Sequence, residues 1–231
     1  SLGDAILGLN TINADPYIPD WRLVWYRRLT IIWVPLQFIT LFGIIWIVTS
    51  SDHLGTLEKI CLFFGMGVIT GTIGVNYSHE LMHKKNRSER RLSELLLAMV
   101  LYSHFKTEHL LIHHRYVGTP RDAVTARYNE SFFRYFARVL RQSPTSALNA
   151  EKAALARKNL PWSDFSNPFF RYWALQGLMI LLALALGGWA GLGLFLLQAF
   201  IAVWQLELVN YIEHYGLTRK HLGQGKYEHV G

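Results

Sequence analysis

The sequence has little charge and almost no cysteine. Charged residues make up 17% of the 231 residues, well below the roughly 25% of an average soluble domain. The single cysteine, Cys61, excludes an internal disulfide framework and any metal cluster held by several cysteines. Hydrophobic residues at 51% and aromatic residues at 14% exclude disorder, because much apolar surface is available for burial. We therefore expect a folded protein whose metal or redox chemistry depends on other side chains.

Three long segments carry no charged residue. The first, residues 29–51, is about 34 Å long as a helix, enough to cross the roughly 30 Å hydrocarbon core of a bilayer. The third, residues 172–206, is too long for one span and contains Gly187 and Gly188, so we interpret it as two spans joined by a tight glycine turn. A soluble all-α protein would need four helices without a polar face. The sequence instead predicts an all-α, multi-pass membrane helical bundle, with spans near residues 29–51, 60–78, 169–187 and 189–209.

Basic residues are concentrated between two of these spans. Of the 23 Lys and Arg residues, 16 lie between His79 and Arg171. By the positive-inside rule, we expect this segment and both chain ends in the cytoplasm, with residues 79–168 forming a histidine-rich helical cap. Helices are predicted here at residues 88–102, 130–141 and 147–158. The net charge of +7 is explained by this sidedness and by nearby anionic lipid, so nucleic-acid binding is not expected.

Six of the ten histidines fall into three groups. His79 and His83 are four residues apart, so on a helix both imidazoles lie on one face and reach one metal ion. A dense cluster of histidines is difficult to explain as surface residues, and we predict a metal site. His53 lies in the opposite loop and is expected to be an ordinary residue. The predicted metal ligands are His79, His83, His109, His113, His114 and His214.

The histidines leave more than one metal possible. His79 to His83 matches the HExxH pattern of zinc proteases, in which Glu80 is the general base. That interpretation leaves the other groups without a role, whereas more than four clustered histidines suggest two metal ions. A histidine-rich site in a membrane protein favours iron and oxygen chemistry. A metal transporter is a further alternative, but it would carry ligands inside its spans.

Three motifs resemble those of the integral-membrane alkane hydroxylase family. They are HELMHK at 79–84, EHLLIHH at 108–114 and NYIEHYGL at 210–217, and the resemblance extends roughly from Asp15 to the end. The sequence departs from the family at Ile112, where the family usually has glycine. The family has six spans and nine histidine ligands. We therefore expect residues 1–231 to be a single hydroxylase-like domain, incomplete at both ends, with further ligands beyond Gly231.

The resemblance implies a membrane monooxygenase with two non-haem iron ions. It would hydroxylate the terminal carbon of an n-alkane, with O₂ and electrons from rubredoxin, in a bacterial-type inner (plasma) membrane. The active site would lie on the cytoplasmic side, in contact with membrane lipid. Rubredoxin needs four cysteines, so the electron donor must be another protein or another segment. An aryl-methyl, xylene-type hydroxylase is the alternative within the family, and an intramembrane zinc metalloprotease is the alternative outside it.

Four carboxylates lie beside the histidines or near them in sequence. A carboxylate that accepts a hydrogen bond from the far ring nitrogen fixes the tautomer and makes the imidazole a better donor to metal. We predict this supporting role for Glu80 above all. No catalytic residue is predicted beyond the metal ligands, and no residue is predicted to bind another cofactor. The four carboxylates are Glu80, Glu108, Asp122 and Glu213.

Overall fold

The computed structural model describes residues 20–224 and 226–229. The predictions for the chain ends, and the start of the resemblance at Asp15, lie outside these residues. Nearly all of the regular secondary structure in the described part is helical, which confirms the all-α prediction. The helices are α1 (Asp20–Thr49), α2 (Thr56–Ile69), α3 (Val75–Met82), α4 (Arg87–Met99), α5 (Phe105–Glu108), α6 (His114–Tyr116), α7 (Phe132–Ala156) and α8 (Pro168–His214). The remaining regular structure consists of two π-helical turns, Thr70–Gly74 and His109–His113, and a small antiparallel hairpin of β1 (His221–Gly223) and β2 (Lys226–Tyr227).

Three segments are long and apolar enough to cross a membrane. They are Val24–Thr49, Thr56–Met82 and Pro168–His214. The second consists of α2, the first π-turn and α3 in one continuous run. The chain is therefore a multi-pass membrane helical bundle, as predicted.

Helix α8 reverses direction at Gly188. This residue has φ 57° and ψ −151°, a conformation open to glycine and not to a helical residue. A Cβ atom built on Gly191 would lie 2.8 Å from the carbonyl oxygen of Ala183. In a straight helix these residues would be about 12 Å apart, so the two halves of α8 run antiparallel. Two spans joined by a glycine turn remain our interpretation of this hairpin.

The histidine-rich segment lies at the open end of the bundle. At the apex, Gly187 packs against Ile45 and Thr49 near the end of α1. At the opposite end, Arg171 at the start of α8 donates two hydrogen bonds to Glu94 of α4. Both ends of α8 and residues 79–168 therefore share one side of the bundle. The assignment of that side to the cytoplasm remains a prediction.

Close helix contacts hold the spans together. Leu41, Phe63 and Phe195, from α1, α2 and α8, are buried in one apolar cluster. A Cβ on Gly67 of α2 would lie 2.6 Å from the Cβ of Ile201 and 2.8 Å from the carbonyl oxygen of Gln198. The absence of a side chain at Gly67 lets α2 approach the backbone of α8, the packing expected where small residues line a membrane helix.

The cap contains fewer and longer helices than predicted. The two helices expected at 130–141 and 147–158 form one 25-residue helix, α7, with Pro144 inside it. Tyr135, Val139 and Ala147 are fully buried on one face that crosses the proline. This shared face keeps the helix continuous, because packing outweighs the one backbone hydrogen bond that proline removes.

Candidate metal centre

Four of the six predicted ligands form one group, in which three imidazoles converge on that of His109. Its Nε2 atom lies 2.8 Å from Nε2 of His79, 3.3 Å from Nε2 of His83 and 3.0 Å from Nε2 of His114. His79 belongs to α3, and His83 is the C-cap residue of this helix, at the end of the second apolar segment. The topology thus brings two of the three sequence groups together at the open end of the bundle.

The second π-turn determines which histidines meet. The backbone N–H of His114 donates to the carbonyl oxygen of His109, the i→i+5 pattern of a π-helix. This register brings the rings of His109 and His114 to 4.4 Å between centroids, against 5.4 Å for His109 and His113. The sequence predicted an α-helical face shared by His109 and His113. In the structure, His114 takes the place beside His109, and His113 turns toward His214.

The spacing of the nitrogens fits a bound metal ion better than a hydrogen-bond network. A ring nitrogen has one hydrogen or one lone pair, so Nε2 of His109 cannot hydrogen-bond to three neighbours. Two imidazole nitrogens at about 2.0–2.1 Å from one metal ion, at angles of 90–109°, lie roughly 2.9–3.4 Å apart. The distances around His109 agree with that range. Ligand atoms of His79, His83 and His109 all lie within 4.8 Å of one another.

His109 and His114 are held in the neutral form. Burial, together with the neighbouring imidazoles, His79 first among them, lowers the pKa of His109 to about 2. Burial and the rings of His83 and His113 also lower the pKa of His114. Neutral imidazole is the form that binds metal, so no proton has to be displaced at neutral pH.

The remaining two predicted ligands form a second group. The rings of His113 and His214 lie 4.6 Å apart between centroids. His113 donates through Nδ1 to Oδ2 of Asp122 at 3.0 Å, and His214 donates through Nδ1 to the carbonyl oxygen of Asn210 at 2.7 Å. In both residues Nε2 is left as the nitrogen with a free lone pair. This second group lies next to the first, because His113 stacks on His109.

Asp122 has the geometry predicted for a supporting carboxylate. It is buried and also accepts hydrogen bonds from the Thr125 hydroxyl at 2.7 Å and the Val124 N–H at 3.0 Å. Burial alone would raise the pKa of Asp122, but the hydrogen bond from His113, with those from Thr125 and Val124, lowers it. Asp122 is therefore ionised at neutral pH and holds the ring of His113 in one orientation. Its effect on a bound metal remains a prediction.

The other three carboxylates have different surroundings. Glu80 is exposed and forms an ion pair with Lys84 one helical turn away. Glu213 is exposed, and its side chain has no hydrogen bond within the described residues. Glu108 is fully buried, and both carboxylate oxygens lack a donor among the residues the structure describes. Burial, with Asp122 and Glu207 nearby, raises the pKa of Glu108 well above its usual value. The supporting roles of all three remain predictions.

A buried carboxylate that the sequence analysis overlooked links three elements. Glu207 of α8 accepts hydrogen bonds from the hydroxyl groups of Tyr102 and Tyr135, both at 2.9 Å, and from Asn210 at 3.2 Å. Tyr102 lies just before α5, and Tyr135 belongs to α7. The signal was available, since Glu207 is the single charged residue between Arg171 and Glu213. Ionisable residues in such segments are rare and commonly functional.

Histidines outside the two groups lie apart from them. His53 is in the exposed loop between α1 and α2, at the apex end. His104 is edge-on to Tyr102, and burial lowers its pKa to about 4. His221 lies on β1, where its ring contacts Tyr227. The structure does not bring His53, His104 or His221 to the predicted ligands.

Comparison with known proteins shows the family to which the chain belongs. A family model described as fatty acid desaturase matches residues 59–230, a range that contains all six predicted ligands. The chain belongs to the fatty acid desaturase family. The curated relatives that it matches are monooxygenases by name.

Curated relatives confirm the resemblance to alkane hydroxylases. The chain is 35% identical to alkane 1-monooxygenase 2 of Pseudomonas aeruginosa over 97% of its own length and 60% of the relative. It is 35% identical to alkane 1-monooxygenase 2 of Alcanivorax borkumensis over 98% of its length and 60% of that protein. A xylene/toluene monooxygenase hydroxylase component of Pseudomonas putida is 32% identical over 65% of the chain and 41% of the relative. This desaturase-family chain thus spans about 60% of the first two relatives.

Proposed function

We propose that this protein is a membrane di-iron monooxygenase that hydroxylates the terminal carbon of an n-alkane. The observation that carries the proposal is the convergence of three imidazole nitrogens on Nε2 of His109, at 2.8–3.3 Å. The names of the alkane 1-monooxygenase relatives support the same reaction. O₂ and a rubredoxin-type electron donor complete the proposed reaction.

The substrate explains why a metal is needed. An n-alkane has no acidic proton and no leaving group, so side-chain acid–base chemistry cannot attack its C–H bond. Iron, when bound, supplies the activation of O₂ that such a bond requires. His79, His83, His109 and His114 would hold one ion, and His113 and His214 would contribute to the second. The chain's own part is to present neutral imidazoles in fixed orientations, which the Asp122–His113 hydrogen bond supports.

The position of the histidines suits an apolar substrate. His79 lies within the second apolar segment, and His214 ends the third. A hydrocarbon dissolved in the lipid therefore reaches the site without crossing water. We place this end of the bundle in the cytoplasm because 16 of the 23 Lys and Arg residues lie between residues 79 and 171. That side is also where a soluble electron donor is available.

Metal and product analysis tests the proposal. The purified protein should contain two iron ions per chain, and cells that express it with rubredoxin and its reductase should convert octane to 1-octanol. The matched control is His53→Ala, which removes an exposed histidine at the apex. One zinc ion per chain with no alcohol product would refute the proposal.

An aryl-methyl hydroxylase is the second candidate, supported by the relative named xylene/toluene monooxygenase. Competition between octane and xylene in the same cells separates the two substrates.

The zinc protease alternative makes a different prediction. It needs Glu80 as general base, so Glu80→Gln would abolish peptide cleavage. In the hydroxylase, Glu80 is exposed and pairs with Lys84. Glu80→Gln should therefore still produce measurable alcohol.

A further inference from the structure

A basic cavity opens beside the histidine cluster. It has a volume of about 820 Å³ and lies between the end of α3, the start of α4 and the start of α8. Eight Lys or Arg side chains and two Glu side chains contribute to its lining. The excess of positive charge predicts an anionic occupant.

The back of the cavity is a rigid, buried ion cluster. Glu94 accepts hydrogen bonds from Arg171 through both carboxylate oxygens at 3.1 Å, and from Nζ of Lys106 at 3.0 Å. Lys106 also donates to the carbonyl oxygen of Arg90 at 2.6 Å. The side chains of Lys106 and Glu94 are only 9% and 3% exposed. One carboxylate thus fixes two cations and leaves the cluster with a net positive charge.

The mouth of the cavity carries cations without acidic partners. Lys85, Arg87 and Arg91 line the cavity and are exposed. None of the three forms an ion pair with another described residue. These three charges are therefore available to an anion in the cavity, and the ion cluster at the back adds its net positive charge.

The cavity also lies at the level where a membrane surface is expected. Met82 ends the second apolar segment and Pro168 begins the third, and both line the cavity. Leu110 and Leu111 add an apolar wall. Phe165, on the rim, is 97% exposed, as is common for aromatic residues at the membrane interface. A ligand with an anionic head and an apolar tail matches this combination.

We propose that this cavity binds the phosphate headgroup of an anionic phospholipid from the surrounding membrane. The phosphate would meet Lys85, Arg87 and Arg91, and the acyl chains would leave along the apolar wall toward the bilayer. Basic pockets at the ends of membrane helices bind such headgroups in other proteins. An acidic protein partner fits less well, because the cavity combines its cations with an apolar wall at the expected level of the membrane surface. The proposal does not depend on the reaction that the histidines support.

Native mass spectrometry of the purified protein in detergent tests the proposal. The probes are dioleoyl phosphatidylglycerol and, as the neutral comparison, dioleoyl phosphatidylcholine. Each cation removed near an anionic headgroup is expected to weaken binding about fivefold. The triple variant Lys85→Gln, Arg87→Gln, Arg91→Gln should therefore bind phosphatidylglycerol about 100-fold more weakly than wild type. The matched control is Lys220→Gln, Arg134→Gln, Arg141→Gln, which removes the same charges elsewhere and should retain the preference.

Three results would overturn the proposal. They are a wild-type protein without preference for phosphatidylglycerol, a triple variant that keeps the preference, and a control variant that loses it equally. An acidic electron donor whose binding is lost in the triple variant, while lipid preference is unchanged, would assign the cavity to a protein instead. If the triple variant does not fold, the single variant Lys85→Gln, at an exposed position, should still bind phosphatidylglycerol about fivefold more weakly, and unchanged binding would overturn the proposal.

Discussion

His114 meets His109 twice, once through the backbone and once through the side chains. The N–H of His114 donates to the carbonyl oxygen of His109, and the Nε2 atoms of the two residues lie 3.0 Å apart. A single π-turn therefore sets both the hydrogen-bond register and the grouping of the histidines. π-turns inside helices occur frequently at functional sites. Here the turn places His113 in the group with His214.

Replacement of His109 should have the largest effect on metal content. Its Nε2 atom lies within hydrogen-bonding distance of three other imidazole nitrogens, whereas among the described residues Nε2 of His114 lies within that distance of Nε2 of His109 alone. Because loss of even a supporting residue costs about 10–100-fold in metal affinity, we expect His109→Ala to exceed that range. His114→Ala should lose less iron, and His53→Ala none. Iron analysis of the purified variants measures the order, and equal iron in all three would contradict the site.

Replacement of Asp122 should weaken the second group of histidines. Asp122→Asn keeps an oxygen that can accept from Nδ1 of His113, but it removes the negative charge. We expect metal affinity or hydroxylation to fall about 10–100-fold, while the fold is retained. Asp52→Asn, in the exposed apex loop, is the matched control and should be unchanged. Unaltered iron binding in Asp122→Asn would show that this hydrogen bond has no influence on the metal.

The uncharged segments and the three histidine groups could be predicted from the sequence. Which histidines lie beside one another in the fold could not. Uncharged runs identify membrane helices because lipid tolerates little else, and the HxxxH spacing marks His79 and His83 as neighbours. The π-turn at His109–His113 was invisible, because an i→i+5 register has no local composition signal. It depends on the packing of that turn against the rest of the bundle. The predicted supporting role of Glu80 rested on sequence proximity, whereas in the structure Glu80 pairs with Lys84.

Packing of α2 on α8 should make Gly67 intolerant of a side chain. Alanine at this position would place its Cβ 2.6 Å from Ile201 and 2.8 Å from a backbone oxygen, so the helices must separate. Overpacking of this kind costs about 1–3 kcal/mol. Gly65→Ala is the matched control, because nothing lies within 4 Å of a Cβ there. Thermal unfolding in detergent should show a lower midpoint for Gly67→Ala only.

The ion cluster around Glu94 should make stability depend on pH. Burial alone would raise the pKa of Glu94, but hydrogen bonds from Arg171 and Lys106 lower it. A carboxyl group with a lowered pKa stabilises the fold fully above its unfolded value, about 4.3, and this contribution is lost as the pH falls through the folded pKa. Wild type should therefore lose stability below about pH 4.3.

Glu94→Gln tests the same cluster at neutral pH. The amide leaves Lys106 and Arg171 without a counter-charge, which costs about 3 kcal/mol for a buried pair. Denaturation of wild type and variant at pH 7 and at low pH gives the comparison. The difference between the two proteins should shrink as the pH falls, and a constant difference would argue against an ionised Glu94.

The hairpin of α8 also dictates when the site forms during synthesis. His214 is the last residue of α8, and its neighbour His113 precedes both α7 and α8 in the chain. The ribosome therefore releases five of the six histidines before the hairpin exists, and the sixth arrives only after the chain has turned at Gly188 and returned. Contacts between distant parts of a chain form late in folding. If the second group binds metal as proposed, it can do so only after the whole hairpin has formed, and a chain stalled at the glycine turn would lack His214.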